Sequence, residues 1–301
     1  MVTERPLSTL LEGGAFFEGP RWQGDRWWVS DFYRGVVSTV TPDGHEEEVL
    51  AVEGQPSGLG WMPDGSMLVV SMRDHRLLRV SEDGHLATHA DLSDLCEGHL
   101  NDMVVDSTGR AWVGSFGFDL MGGEDPAPAR VVRVDPDGHA AVVAEHMLFP
   151  NGAVVTPDGL TLIVGETLGC RYTAFTIDED GELSDRRVWA RLAPTPELGT
   201  LEETLPQVTV GPDGCTLDVE GHIWSADAIG GRCIRVAPGG DVVDELPAPE
   251  GLGIFACMLG GEDGRTLLLC AAPDFQEHNR RDAREGVLLT ARVDAPHAGL
   301  P

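Results

Sequence analysis

The chain contains no lysine: all 21 of its basic residues are arginines. This excludes Schiff-base chemistry, a lysine-anchored pyridoxal cofactor and a phosphate-binding P-loop, each of which needs the ammonium group. Fifty acidic residues outnumber the arginines and give a formal net charge of -29. So acidic a chain repels nucleic acid and anionic membrane surfaces, and neither is expected as a partner. No apolar run reaches the roughly 18 residues that suggest a membrane span. The opening "MVTERPLSTLLEGG" lacks the basic start and long apolar stretch of a signal peptide. A cytoplasmic location with reduced thiols is the expectation that follows. No two of the six cysteines form a C-x-x-C pair, so zinc-knuckle and thioredoxin-type motifs are absent. "G-x-S-x-G" is absent too, which removes the nucleophile elbow of a serine hydrolase. Nor do apolar residues recur with a sustained helical period; a helical turn is expected at most at 93–96 and in "NRRDARE".

What the chain does have is glycine, 38 residues of it, and a repeat. Six segments look alike: "GDRWWVSD", "GSMLVVSM", "GRAWVGSF", "GLTLIVGE", "GHIWSADA" and "GRTLLLCA". They begin at Gly24, Gly65, Gly109, Gly159, Gly221 and Gly264. Each is a turn glycine followed by a short β-rich run, and another short strand comes after it. Six units of roughly four strands each predict an all-β fold, a six-bladed β-propeller forming one domain over 1–301. A pair of β-sandwiches would not explain why the unit recurs six times.

The innermost strand of each blade lines the central channel, so residues at one repeat phase meet around one axis. Eight residues before the marker glycines stand Ser57, Asn101, Asn151, Asp213 and Ala256. In the first blade, where the turn is two residues shorter, Glu18 takes that place. Two of the chain's three asparagines thus share one phase with an aspartate and a glutamate. An Asn-Gly or Pro-Asp-Gly taken singly is a turn signal. Four oxygen donors with two negative charges, converging on a channel mouth, suit one hard divalent cation. Calcium is the expected ion, with zinc, manganese, magnesium or iron(II) as alternatives. Ser57 and Ala256 are small and leave room above it for a small-molecule substrate. Asp31, Glu166 and Asp227, which end marker strands, are expected at the opposite channel end or in outer turns.

The stretches "FEGPRW", "LNDMVVDSTGR", "FPNGAVVTPDG" and "PDGCTLDVEGHIW" occur in this order. They resemble the signature stretches of the gluconolactonase, regucalcin (senescence marker protein) and luciferin-regenerating-enzyme family. The resemblance covers nearly the whole chain. It implies a six-bladed propeller with one divalent metal held by Glu18, Asn151 and Asp213, with Asn101 beside it as a ligand or through a water. Propellers resembling diisopropyl-fluorophosphatase use a similar set of one Glu, two Asn and one Asp around calcium. Members of the family typically hydrolyse lactones, and some hydrolyse organophosphates. Sugar-lactonase members often carry an arginine where this chain has His99, in "EGHLND". Downstream, "SFGFDLMGGEDPAP" offers Phe116, Phe118 and Met121 as substrate contacts, which suits a substrate less polar than a sugar-acid lactone.

The expected function is metal-dependent hydrolysis of a lactone or related cyclic ester. The metal polarises the carbonyl and water attacks. Asp213 is the first candidate for general base and His99 the second, and His99 and Asn101 are also substrate-contact candidates. The competing readings are a phosphotriesterase-like hydrolase and a non-catalytic propeller plugged by its metal that binds a small ligand or a protein. A metal-free relative of strictosidine synthase would not need all four oxygen donors. The sequence leaves the oligomeric state open.

Overall fold

The computed structural model describes residues 5–299. Residues 1–4 and 300–301, the ends of the expected domain, lie outside the described residues. Six four-stranded antiparallel sheets form the six blades of a β-propeller, as the repeat predicts. The first blade comprises Phe17–Gln23, Arg26–Asp31, Val36–Val40 and Glu46–Ala51 from the axis outwards. The next four blades follow in the same order along the chain.

The sixth blade is built differently. Its inner three strands are Gly253–Gly260, Thr266–Ala272 and Gly286–Arg292. Its outer strand, Ser8–Gly14, comes from the start of the chain and pairs with Gly286–Arg292, Ser8 facing Thr290 and Gly14 facing Gly286. This pairing closes the ring, and nothing in the repeat marks it.

The marker glycines earn their periodicity from backbone geometry. All six have φ between 69° and 87°, a left-handed turn conformation that costs a residue with a Cβ. Between blades lies the apolar core. Trp27 packs on Met258 and Leu268 of the sixth blade, Trp112 on Ala153 and Val164 of the fourth, and Trp224 on Leu269 of the sixth. Each tryptophan comes from a marker segment and is at most 1% exposed. Truncating one to alanine should cost about 3–5 kcal/mol.

Long connections gather at one end of the channel: 116–128 within the third blade, 192–211 between the fourth and fifth, and 273–285 within the sixth. The 192–211 connection contains a helical turn, Leu201–Thr204, started by a capping box between Thr200 and Glu203. It has no counterpart in the sequence reading. Asp125 accepts a hydrogen bond from the Leu201 N–H at 3.0 Å and ties this connection to the first one. The turn expected in "NRRDARE" appears slightly earlier, at Glu277–Arg280, whereas 93–96 forms no helix.

Candidate active site

Every inner strand carries a register shift near its start. It falls between Glu18 and Arg21, Pro56 and Leu59, Leu100 and Met103, Pro150 and Ala153, Pro212 and Cys215, and Ile254 and Ala256. Such a bulge adds a residue to one strand and re-aims its side chain. Ser57, Asn101, Asn151 and Asp213 all stand inside it. After Ser57, Asn151 and Asp213 a glycine lets adjacent inner strands crowd together. A Cβ on Gly152 would come within 2.4 Å of the Asp213 carbonyl, and one on Gly214 within 2.6 Å of Ala256. The Asn-Gly that could have been a plain turn is therefore a packing device at the channel axis.

Glu18, Asn101, Asn151 and Asp213 line one cavity at this end of the channel, about 790 Å³ including its open mouth. Ser57 and Ala256 are buried outside its lining. The amide nitrogens are used by the protein: Asn151 donates to Thr167 Oγ1 at 3.1 Å and Asn101 to the Pro150 carbonyl at 3.4 Å. That orientation leaves both amide oxygens free to face the cavity. Thr167 in turn donates to the Pro212 carbonyl at 2.7 Å, which fixes the hydroxyl that positions Asn151.

The two carboxylates are electrostatically incomplete. Glu18 accepts only the Gly19 N–H, at 2.9 Å, and Asp213 accepts the Gly214 N–H, at 3.0 Å. Burial, and then the charge of Asp213, push the Glu18 carboxyl well above the usual carboxylate range. Burial pushes Asp213 up to about 8, and Asp102 adds to the rise. Arg21 lies close by but is committed to Asp102 at 3.0 Å and to the Met103 and Pro20 carbonyls. Among the described residues, no basic side chain pairs with Glu18 or Asp213. A buried and a half-buried carboxylate, with two amide oxygens and no cation, form a donor set that fits a hard divalent ion. Among the described residues no cluster of three His, Cys, Asp or Glu side chains offers a different kind of metal site.

Phe116, Phe118 and Met121 line the same cavity. His99 does not: it is half-buried behind Phe116, with ring centroids 5.9 Å apart, and burial lowers its basicity. Asp31, Glu166 and Asp227 correct the expectation made for them. They face Phe17, Pro150 and Pro212, so they sit at the same channel end as the oxygen ring. The second strand of a blade runs antiparallel to the first and returns to its starting end. The three acids cap backbone N–H groups of Ala15, Leu148 and Gly211, and each faces an arginine: Arg34, Arg171 and Arg232.

Other lining residues escaped the sequence reading. Phe16 and Phe149 each precede a ring residue by two positions, so the repeat phase could have found them. Phe149 is held at φ 60°, a left-handed conformation costing an aromatic residue about 1–2 kcal/mol. Leu205, Val208 and Phe275 come from the long connections and carry no repeat signal. The cysteines are all free and buried, and burial holds the Cys215 thiol well above its ordinary range. That leaves Cys215 a core residue rather than a nucleophile.

Residues 16–273 match the family model described as SMP-30/Gluconolactonase/LRE-like region. The chain is 29% identical over 208 residues to a 6-deoxy-6-sulfogluconolactonase of Pseudomonas putida, across 67% of this chain and 64% of that protein. The match thus spans less than two thirds of that relative. To a pentonolactonase of Haloferax volcanii it is 28% identical over 276 residues, across 90% of this chain and 86% of the relative. A solved structure from Agrobacterium tumefaciens, titled a calcium-binding protein, regucalcin, is similar with a TM-score of 0.78 at 21% identity, covering 100% of this chain and 97% of that one. A gluconolactonase of Xanthomonas campestris is similar with a TM-score of 0.73 at 22% identity, covering 100% and 91%. At such identities the structural likeness speaks for the fold.

Proposed function

The chain belongs to the SMP-30/gluconolactonase/LRE-like family, and from that premise we propose that it is a divalent-metal-dependent hydrolase opening a lactone or related cyclic ester at the channel mouth. The observation that carries this reading is the pair of carboxylates without a paired cation that line one cavity with two asparagine amides. Glu18, Asn151 and Asp213 would hold the ion, and Asn101 would stand beside it. Calcium suits the oxygen donors best; zinc, manganese, magnesium or iron(II) are the alternatives to test. When bound, the ion supplies Lewis-acid polarisation of the substrate carbonyl.

The chain's own residues do the rest. Asn101, whose amide N–H is taken by the Pro150 carbonyl, would offer its free amide oxygen to the ion or accept a hydrogen bond from a water beside it. Asp213, fixed by the Gly214 N–H, takes up a proton as water adds to the carbonyl carbon. The ring bond then breaks and the proton goes to the leaving oxygen. Asp213 is preferred over His99 as the base because it lines the cavity and His99 does not.

The test is lactone hydrolysis by chelator-treated protein, with each metal added back singly. Turnover restored by one metal and absent from Asp213→Asn supports the reading. Tight metal binding without turnover of any lactone would instead favour a phosphotriester substrate or a metal-plugged binding propeller. Failure to bind any divalent metal would overturn the site.

A further inference from the structure

Seven of the chain's nine phenylalanines line this one cavity. They come from four blades, the first, third, fourth and sixth, and from the long connections, so no single segment's composition accounts for the gathering. Phe116 and Phe149 stack, with centroids 4.4 Å apart, to make a flat wall. Phe16 packs on Phe255 at 4.9 Å to form another. The polar groups outside the oxygen ring are occupied. The Tyr33 hydroxyl donates to the Phe275 carbonyl, and Thr167 is held between Asn151 and Pro212. Among the described residues, no arginine, histidine or glutamine lines the cavity.

A sugar lactone would therefore bring hydroxyls into a wall with nothing to pair them. Each buried hydroxyl left unpaired lowers binding by roughly tenfold to a hundredfold. Beyond the metal position, an anionic sugar would meet no basic side chain among the described lining residues. An apolar substituent, by contrast, gains by leaving water for an aromatic cavity.

We propose that this cavity takes a hydrophobic ligand: a lactone bearing an alkyl or aryl substituent, with the carbonyl over the oxygen ring and the substituent against the phenylalanines. The inference rests on the lactonase reading and narrows it to a substrate class unlike the sugar lactones named for the relatives. In the reaction, the oxygen of water bonds to the carbonyl carbon and the ring carbon–oxygen bond breaks. One water proton goes to the departing alcohol oxygen, and the new carboxylic acid releases the other.

Three lactones with the same six-membered ring separate the possibilities: δ-valerolactone, δ-decalactone and D-glucono-δ-lactone. With metal-loaded protein, kcat/KM for δ-decalactone should exceed that for δ-valerolactone by about tenfold or more. It should exceed that for gluconolactone by about a hundredfold or more. Calorimetric titration with the corresponding inert lactams tests binding apart from turnover, and the pentyl-substituted lactam should bind at least about thirtyfold more tightly than gluconolactam. Met121→Arg, on a partly exposed connection, should lower the decalactone-to-gluconolactone ratio by about tenfold. Equal or better use of gluconolactone, or equal binding of the two lactams, would overturn the inference while leaving the lactonase reading intact. If no lactone is turned over but the pentyl lactam is preferred, the lactonase reading fails and the hydrophobic cavity stands.

Discussion

Two sets of carboxylates share one end of this propeller: Glu18 and Asp31 in the first blade, Asp213 and Asp227 in the fifth, and Glu166 in the fourth. Asp31, Glu166 and Asp227 end second strands and are fully buried. Glu18 and Asp213 enter inner strands at almost the same level. The first set is saturated. Glu166 alone takes the Leu148 N–H, two bonds from Arg171 and the Thr173 hydroxyl. Asp227 takes the Gly211 and Gly230 N–H groups and Arg232. The second set has one backbone N–H apiece and no cation. Glu18 is buried like the first set and Asp213 is half-buried at the cavity, so burial is not what marks a functional acid. What distinguishes the inner pair is charge left without a partner, which folding tolerates only where something else supplies it.

Replacing acids by their amides breaks the comparison most sharply. Asp213→Asn should lower turnover by about a thousandfold or more and weaken metal binding, and Glu18→Gln should do the same to the metal. Neither should lower the melting temperature of the metal-free protein, because neither carboxylate has a cationic partner to lose. Glu166→Gln should do the reverse. It leaves Arg171 without its carboxylate and should cost about 2–3 kcal/mol of stability, below the figure for wholly buried pairs because Arg171 is partly exposed. Denaturant melts of the metal-free variants check this. A metal-free Asp213→Asn that melts well below the parent would remove the contrast.

A smaller effect sharpens the comparison through pH. The folded-state pKa of Asp213 is raised, from 3.8 to about 8. Its proton therefore stabilises the metal-free fold fully below about pH 4, and that contribution is lost as pH rises through about 8. The melting temperature of chelated protein should fall by roughly 3–8 °C across this window. Calcium-loaded protein and metal-free Asp213→Asn should both show a flatter profile. A chelated parent as flat as the variant would show that the two inner charges are compensated.

The contrast also explains what the sequence could disclose. Turn glycines and the ring positions are legible because positive φ at the hairpins recurs once per blade and a close-approach glycine follows the ring residue in four of the six. Asn101, Asn151, Asp213 and Glu18 become visible together by sharing that phase. The closing strand Ser8–Gly14 repeats nothing and gains its place only by pairing with the far end of the chain. Asp31, Glu166 and Asp227 are misplaced by a reading that follows the chain outward and neglects its antiparallel return. Leu205, Val208 and Phe275 reach the cavity from aperiodic connections, where tertiary contact alone assigns a residue its role.

The smallest expected effect concerns His99. By sequence it stands two residues before Asn101, as Phe16 and Phe149 stand before Glu18 and Asn151. Those two phenylalanines line the cavity, while His99 lies half-buried with its ring edge-on to Phe116. Its burial lowers its basicity, so near neutral pH it remains uncharged and packs as a ring. His99→Gln should therefore change kcat/KM by no more than about threefold and leave the pH profile of turnover in place. The modest loss would come from Phe116, whose wall loses a neighbour. A drop of about a hundredfold with a displaced acid limb would instead make His99 the proton acceptor. That outcome would reduce the unpartnered charge of Asp213 to a device for holding metal alone.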